Sequence, residues 1–219
     1  GWKAPKYAHI PSIMKLDHGN KRKLSKRKDP EAAVSYFLDN GYCPKALLVY
    51  LMSIANSNFE EWCIANKNFD IENFNFSLKK MSLDGALFDE GKLNYFSKEI
   101  IAKMPLDELY NAVYEYAKGH DEVLLSKIEL DPTYFKKILN IEKDRKNPRK
   151  DYAKYSDIYP LVKFFYHDEW EKLAASIEFD SRFSSELVKD VLLSIKEKME
   201  YGVDESTWWN GVKLIGEEK

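Results

Sequence analysis

Cysteine, glycine and long apolar runs are all scarce in this sequence. It has two cysteines and nine glycines, and no apolar stretch of the length that crosses a membrane. Cys43 and Cys63 have no histidine or cysteine companions at metal-ligand spacing, so we expect no metal site and interpret both as reduced, buried thiols. A signal-peptide pattern, a fixed-period repeat and a low-complexity segment are absent as well. We therefore expect a cytoplasmic protein without a membrane segment, and a monomer.

The composition is that of an ordered, helix-rich protein. Of the 219 residues, 44% are hydrophobic and 14% aromatic, which is enough to bury a core in one large or two small domains. The chain does not start with methionine, and Gly1 followed by Trp2 resembles the interior of a longer sequence. We therefore expect a fragment.

Positive charge is concentrated at the N-terminal end. Residues 1–28 contain nine Lys and Arg against one acid, Asp17, so this segment carries +8. Because the net charge of the whole chain is −2, residues 29–219 carry a net charge of −10. This asymmetry predicts that a surface facing a polyanion lies in the N-terminal segment.

Residues 20–28 form the densest cluster, with six cations in nine positions. Leu24 is the only apolar residue there, and Gly19 can turn the chain with a positive φ, so the pattern predicts a mobile loop and neither helix nor strand. Asp29 is predicted to be the N-cap of a helix that begins at Pro30, with Glu31 in its first turn. Cations held against a helix start are suited to binding phosphates.

The rest of the sequence predicts a mainly α fold. A helix from Pro30 ends at Gly41 and a second begins at Pro44, which makes a helical hairpin. Asp89 is predicted to cap a further helix that ends before Pro105. The other predicted helices cover residues 58–65, 106–118, 121–130, 132–143, 152–166, 168–175, 183–201 and 205–215.

Two small segments are predicted to be extended. Residues 7–14 form an apolar run interrupted by Pro11, which is compatible with an edge strand. No partner strand lies nearby in sequence, so this segment should pair with a domain outside the chain. Residues 69–88 alternate loosely between apolar and polar side chains.

A second basic run lies at residues 143–150, between predicted helices. Arg145, Lys146, Arg149 and Lys150 are its candidate nucleic-acid contacts, and the run is equally consistent with an ordinary solvated loop. The spacing of the aromatic residues beyond it is more typical of core packing than of base stacking; these residues are Tyr152, Tyr155, Tyr159, Trp208 and Trp209.

Several stretches together resemble one enzyme family. The sequence Lys-Leu-Ser-Lys-Arg at 23–27 resembles the second signature of class I aminoacyl-tRNA synthetases, in the form found in glutamyl-tRNA synthetases. The flanking sequence is similar to the same family over residues 7–100. The matching residues are His9, Ile10 and Pro11, the "GY.P.AL..YL" run from Gly41 to Leu51, and the "FD..KLN" run from Phe88 to Asn94.

The resemblance implies that the signature loop binds the phosphates of ATP. Lys26 would be the principal phosphate ligand and Lys23 a second cation, so these two are the expected catalytic residues. Ser25 would shape the loop through hydrogen bonds. Leu24 and Arg27 complete the expected ATP-binding stretch.

The cations that flank the signature are candidates for a second kind of contact. Lys21, Arg22 and Lys28 lie outside the signature and are predicted, with the 143–150 cations, to contact the tRNA backbone. The resemblance further implies that the intact enzyme is a ligase of protein biosynthesis. Its partners would be glutamate, tRNA(Glu) and ATP, with Mg²⁺ as the counterion of ATP.

The resemblance also implies a domain organisation. Residues 1–29 would be a remnant of the catalytic domain, residues 30–104 a helical stem-contact region, and residues 105–219 an incomplete helical anticodon-binding bundle. The family's nucleotide-binding domain would precede this C-terminal fragment. We therefore expect the fragment to hold no cofactor and to be inactive alone.

Two alternatives stay open at the level of sequence. The chain is also compatible with a glutaminyl-type or nondiscriminating synthetase, although the glutaminyl type continues into β-barrel domains. A helical protein-interaction scaffold with a coincidental basic loop is the alternative from a different class.

Overall fold

The computed structural model describes residues 1–82, 84–200 and 202–217. It comprises two compact units, Gly1–Phe165 and Tyr166–Lys219. The prediction of a mainly α fold is confirmed, because the described residues form eleven α-helices and one two-stranded hairpin. The first unit holds α1 Val34–Asp39, α2 Pro44–Ala55, α3 Phe59–Ala65, α4 Glu90–Lys103, α5 Leu106–His120, α6 Glu122–Leu130, α7 Pro132–Leu139 and α8 Ile158–Val162. The second unit holds α9 His167–Ser176, α10 Ser185–Lys198 and α11 Glu205–Glu217.

A β-hairpin occupies the start of the segment that was predicted to be a mobile loop. β1 (Met14–Asp17) pairs with β2 (Asn20–Lys23) in antiparallel fashion. His18 and Gly19 have φ of 48° and 83°, the two positive angles of a type I′ turn. The loop prediction for 20–28 is therefore wrong over its first four residues. Apolar alternation could not reveal this sheet, because it is partly solvated on both faces and needs no apolar stripe.

The segment before β1 also differs from its prediction. Residues 1–13 have no regular secondary structure, and the first ten are exposed. Met14 donates its N–H to the carbonyl of Ala86 and accepts a hydrogen bond from the N–H of Phe88, both at 2.8 Å. A partner from outside the chain is therefore not needed at Met14, and local sequence could not reveal partners so distant along the chain.

The stretch 69–88 is not a strand. It contains two 3₁₀ helices, Ile71–Asn73 and Leu78–Lys80, and takes part only in isolated bridges at Met81 and Leu87 among the described residues. Residue 83 lies outside the described residues. The loose apolar alternation instead reflects single anchoring side chains, such as Phe74, whose ring centroid is 4.9 Å from that of Phe59.

The helical hairpin forms as predicted, with one interruption. A 3₁₀ helix, Pro30–Ala32, precedes α1, and Ala33 between them adopts an extended conformation. Gly41 ends the segment with φ of 85°, and Pro44 is the first residue of α2. The proline and glycine positions therefore fix both ends of this connection.

One part of the core of the first unit lies between α2 and α4, and another lies among α5, α6 and α7. Asp89 caps α4 as predicted, since its carboxylate accepts a hydrogen bond from the N–H of Lys92 at 3.0 Å. The helix then continues without a break to Lys103. Its fully buried side chains include Leu93 and Ile101, which lie in the same core as Tyr50 of α2.

The later helices differ from prediction mainly at their ends. α5 continues through Gly119, and α7 ends at Leu139 where a helix to 143 was predicted. The predicted helix 152–166 is instead a short α8 between 3₁₀ turns at Tyr155–Asp157 and Lys163–Phe165. Pro160 lies within α8, where it cannot donate a backbone hydrogen bond.

In the second unit, Ser184 caps α10, with its hydroxyl accepting from the N–H of Leu187 at 3.2 Å. Residue 201, the last of the predicted helix 183–201, lies outside the described residues. Trp208 and Trp209 of α11 are 37% and 51% exposed, and their ring centroids lie 5.3 Å apart in an edge-to-face arrangement, so the pair packs on itself while remaining partly exposed.

Three predictions rest on the scarcity of cysteines, apolar runs and metal-ligand patterns in the sequence, and each can be compared with the structure. Cys43 and Cys63 are buried and form no disulfide, as predicted. Within 1–82, 84–200 and 202–217, no helix is both long and apolar enough to span a membrane. Over the same residues, no three or more His, Cys, Asp or Glu side chains come together as metal ligands. The proposed domain boundaries at 29/30 and 104/105 stay predictions.

Candidate functional site

The signature residues lie on a tight turn that directly follows β2. Leu24 extends the hairpin by one bond, donating its N–H to the carbonyl of Ile13 at 3.0 Å. The carbonyl of Ser25 then accepts from the N–H groups of Lys28 (3.0 Å) and Asp29 (2.8 Å). The chain therefore reverses around Ser25 within four residues.

Five of the six cations in this segment are exposed to solvent. They are Lys21, Lys23, Lys26, Arg27 and Lys28. Tight reversal of the backbone concentrates these charges around one turn, where a polyanion meets several cations at once. Arg22 is the exception.

Arg22 reaches across the base of the turn to Asp29. Its Nη1 donates to Oδ2 of Asp29 at 2.6 Å and its Nη2 to Oδ1 at 2.8 Å, the two-pronged geometry of a strong charge-assisted bond. The N–H of Ser25 donates to the same carboxylate at 2.8 Å, and the Asp29 side chain is only 2% exposed. The prediction that Asp29 caps a helix is wrong, because this carboxylate turns back to the loop and makes no capping bond.

Charges of both signs surround this pair. Nε of Arg22 donates to Asp17 at 2.6 Å, while the ammonium of Lys15 lies 3.6 Å from Asp29 and also pairs with Glu31. The hydrogen bond from Arg22, followed by that from Ser25, holds the pKa of Asp29 well below its usual range. The hydrogen bonds to Asp29 and then Asp17 raise the pKa of Arg22. Arg22 and Asp29 therefore both stay charged at neutral pH.

A cavity of about 310 Å³ adjoins the turn. Lys23, Leu24 and Lys26 line it on the side of the turn, and apolar side chains such as Phe37 of α1 and Phe88 complete it. Ammonium groups beside an apolar cavity suit a ligand that combines negative charge with a flat apolar part.

Close backbone packing joins the hairpin to the helical core. A Cβ atom at Gly85 would lie 2.7 Å from both Cγ of Met14 and the carbonyl oxygen of Ser12. Such distances are far below van der Waals contact, so only glycine permits the Met14 bonds to Ala86 and Phe88. The turn therefore has a rigid attachment.

The two stretches that resemble the enzyme family, residues 41–51 and 88–94, are joined by hydrogen bonds. The hydroxyl of Tyr42 donates to Oδ1 of Asn94 at 2.6 Å, and the hydroxyl of Tyr50 accepts from the N–H of Asp89 at 2.9 Å. The Tyr50 and Phe88 rings meet edge to face at 5.7 Å. The residues of the "GY.P.AL..YL" and "FD..KLN" patterns therefore contact each other in one packed region, which supports the hairpin.

Much of the second basic run, residues 143–150, makes contacts within the protein. Nζ of Lys143 donates to the carbonyls of Ile101 and Ala102 at the end of α4, at 3.1 and 3.2 Å. Burial lowers the pKa of this amine. Lys143 thus binds carbonyls in the last turn of α4, of which that of Ile101 also accepts from the N–H of Met104 at 3.3 Å.

Three of the four candidate cations in this run form ion pairs, which are Arg145 with Glu142, Arg149 with Asp151, and Lys150 with Glu99. Lys146 is exposed and lines a groove of about 650 Å³ with Lys67, Tyr95 and Phe96. Tyr155 is buried, as the packing interpretation predicted. The structure therefore does not bring the two basic runs into one site, and it leaves Lys146 best placed to meet an external anion.

Sequence reasoning missed the acids that hold the turn. Asp29 was assigned to a helix cap and Glu31 to the first turn of that helix, and Lys15 and Asp17 were assigned no contact with the turn. A signal was present, since a two-residue turn at 18–19 places Lys15 opposite Arg22. Recognising that turn would have predicted the hairpin and its charge pairs.

Relatives of this chain are found among curated proteins. No family model matches the chain. A glutamate–tRNA ligase of Clostridium perfringens (strain 13) is 38% identical over the whole chain, which covers 40% of that protein. Glutamate–tRNA ligases of Acetivibrio thermocellus and Sorangium cellulosum are 39% and 30% identical over 100% and 98% of the chain, covering 39% and 40% of those proteins. The chain thus spans about 40% of the length of these relatives, and it belongs to the glutamate–tRNA ligase family.

Proposed function

We propose that this chain supplies the ATP-phosphate loop and a tRNA-facing helical part of a glutamate–tRNA ligase. The intact enzyme would attach glutamate to tRNA(Glu) through an ATP-dependent glutamyl-adenylate. The observation that carries the proposal is the turn at 24–28, which exposes Lys26 and Arg27 while Arg22 and Asp29 are bonded across its base. The relatives are all named glutamate–tRNA ligases, which supports the glutamyl type over the glutaminyl type.

The chemistry requires positive charge at a fixed place. Attack of the glutamate carboxylate on the α-phosphate builds negative charge on the phosphoryl oxygens and on the leaving pyrophosphate. Lys26, supported by Lys23, would stabilise that charge more in the transition state than in the bound substrate. The hydroxyl of Ser25 accepts from the N–H of Arg27 at 3.4 Å, which helps to set the direction in which these side chains project.

Other components belong to the intact enzyme. We expect Mg²⁺ to enter as the counterion of ATP, and we expect the enzyme to be a cytoplasmic monomer. The fragment alone would neither form glutamyl-adenylate nor charge tRNA. Lys21, Lys28 and the groove at Lys146 would contact the tRNA backbone.

The tRNA part of the proposal is tested with residues 1–219 alone. Filter binding of tRNA(Glu) over a salt series should give a log–log slope set by the number of phosphates contacted. Lys146→Gln should reduce that slope by about one. Lys118→Gln, which removes an exposed lysine of α5, is the matched control and should leave the slope unchanged.

The outcomes separate the proposal from its alternatives. Absence of binding at low salt would contradict a tRNA-facing role and favour a protein-interaction scaffold. Equal binding to any tRNA would leave only a nonspecific polyanion surface. Detectable glutamate-dependent ATP–pyrophosphate exchange by this chain alone would show that the catalytic centre has been misplaced.

A further inference from the structure

The turn that carries the signature is closed at its base by one side-chain pair. Arg22, the residue before the signature begins, and Asp29, just beyond its flanking lysine, are joined by bonds of 2.6 and 2.8 Å. Residues 23–28 therefore form a loop tied at both ends. Lys26 lies in the middle of this loop.

The pair is buried at its acidic end. The Asp29 side chain is 2% exposed and that of Arg22 is 30% exposed. A two-pronged bond between such groups restricts both distance and angle, which a single-point lysine contact would not do. The bond from the N–H of Ser25 to Asp29 at 2.8 Å extends this restraint into the signature itself.

The strand geometry separates Arg22 from its cationic neighbours. In β2, Lys21 and Lys23 are exposed while Arg22 between them is half-buried, as expected from alternation along a strand. Asp17 holds the third nitrogen of the guanidinium, Nε, at 2.6 Å. Arg22 is therefore engaged within the protein and is not presented to a polyanion.

We propose that Arg22 and Asp29 are positioning residues that hold Lys26 where it meets the ATP phosphates. This inference rests on the proposed function of the loop. It replaces the expectation that Arg22 contacts the tRNA backbone. Loss of the pair would open the side-chain closure at the base of the turn, and misplacement of a catalytic group by about 1 Å can cost on the order of 100-fold in rate.

The test is a double-variant experiment in the complete enzyme. ATP–pyrophosphate exchange is measured for Arg22→Gln, Lys26→Ala and the variant with both changes. Arg22→Gln should lower kcat by about 10- to 100-fold with little change in the KM for ATP. In the Lys26→Ala background the same change should have less than about a twofold effect, because the group that Arg22 positions is already gone.

The control is Arg182→Gln, which removes another Arg–Asp pair, one whose arginine is 80% exposed. It should leave kcat unchanged. Equal losses from Arg22→Gln in both backgrounds would overturn the positioning role and indicate a general structural one. If Lys26→Ala lowers the rate but Arg22→Gln does not, only this inference fails; if Lys26→Ala has no effect, the proposed function of the loop fails with it.

A second measurement uses residues 1–219 alone and needs no activity. Asp29→Asn keeps every trypsin site, so the rate of cleavage within residues 21–28 reports how well the turn is held. We expect cleavage at least about tenfold faster in Asp29→Asn than in Asp39→Asn, which alters an exposed carboxylate of α1. Equal rates would overturn the proposal that this pair holds the turn.

Discussion

Replacing Gly41 with alanine should destabilise the first unit through two additive causes. Gly41 has φ of 85°, and an L-residue in this left-handed region costs about 1–2 kcal/mol. The added Cβ would also lie 2.9 Å from the backbone nitrogen of Ser156, which cannot move like the end of a flexible side chain. Moving that segment would weaken the bond from Tyr155 N–H to the Gly41 carbonyl (2.8 Å) and that from the Ser156 hydroxyl to the Asn40 carbonyl (2.8 Å). With up to about 0.5–1.5 kcal/mol for each bond, we expect a total loss of roughly 2–5 kcal/mol.

Urea unfolding followed by circular dichroism measures this loss against two glycine controls. Gly19 has nearly the same φ, 83°, with open space around it, so Gly19→Ala should show only the conformational cost. Gly119 lies in α5 with open space around it, and Gly119→Ala should leave stability unchanged or raise it by up to about 1 kcal/mol. A loss in Gly41→Ala no larger than that in Gly19→Ala would refute the steric part of the reasoning. Unchanged stability would refute both parts.

Three further outcomes follow from single groups. Asp89→Ala removes the cap bond to the N–H of Lys92 and should lower the free energy of unfolding by about 1 kcal/mol in urea titrations; no change would contradict the capping role. Because the pKa of Asp29 is lowered on folding, its carboxylate stabilises the fold above the unfolded value of 3.8 and loses that effect as pH falls below it. The stability gap between wild type and Asp29→Asn should therefore be present at pH 7 and shrink towards pH 2, and a gap independent of pH would refute this. Burial, followed by the charge of Glu60, raises the pKa of Cys63 from 9.0 to about 11, so the thiolate fraction of Cys63 at pH 8 should be about 100-fold below that of an ordinary thiol. Labelling of Cys63 by iodoacetamide, followed by peptide mass spectrometry, should therefore be correspondingly slow. Labelling at the rate of an ordinary thiol would contradict this expectation.

Sequence was informative wherever a residue acts on its own backbone. Gly41, Pro44 and Asp89 set helix ends through positive φ, fixed φ and a capping carboxylate, and each does so in the structure. These effects are local, so a short stretch of sequence contains them entirely.

Sequence was less informative where the partner is distant or the sheet is polar. The hairpin was missed because β2 has no apolar residue, and the Met14 bonds to Ala86 and Phe88 join segments far apart in the chain. Asp29 shows the same limit, since its position before Pro30 suits a cap but its carboxylate has a stronger partner in Arg22. Tertiary charge pairing overrode the local preference.

In the candidate site as well, some features could be predicted from the sequence and others could not. Family resemblance located residues 23–27 and the two motif stretches, and the structure explains why these stretches occur together, through the Tyr42 bond to Asn94 and the Tyr50 bond to Asp89. The family resemblance could not distinguish cations that face solvent, such as Lys26 and Lys146, from cations that are paired with acids of the protein. That distinction depends on which acids each cation meets once the chain has turned, as Arg22 meets Asp17 and Asp29.

The most direct test of the central claim is glutamate-dependent ATP–pyrophosphate exchange by the complete enzyme carrying Lys26→Ala. A preorganised cation acting on developing phosphate charge contributes about 2–4 kcal/mol, so kcat should fall by roughly 30- to 1,000-fold. Lys118→Ala, at an exposed lysine of α5, should leave kcat unchanged. An exchange rate for Lys26→Ala equal to that of wild type would contradict the claim that this turn binds the phosphates of ATP.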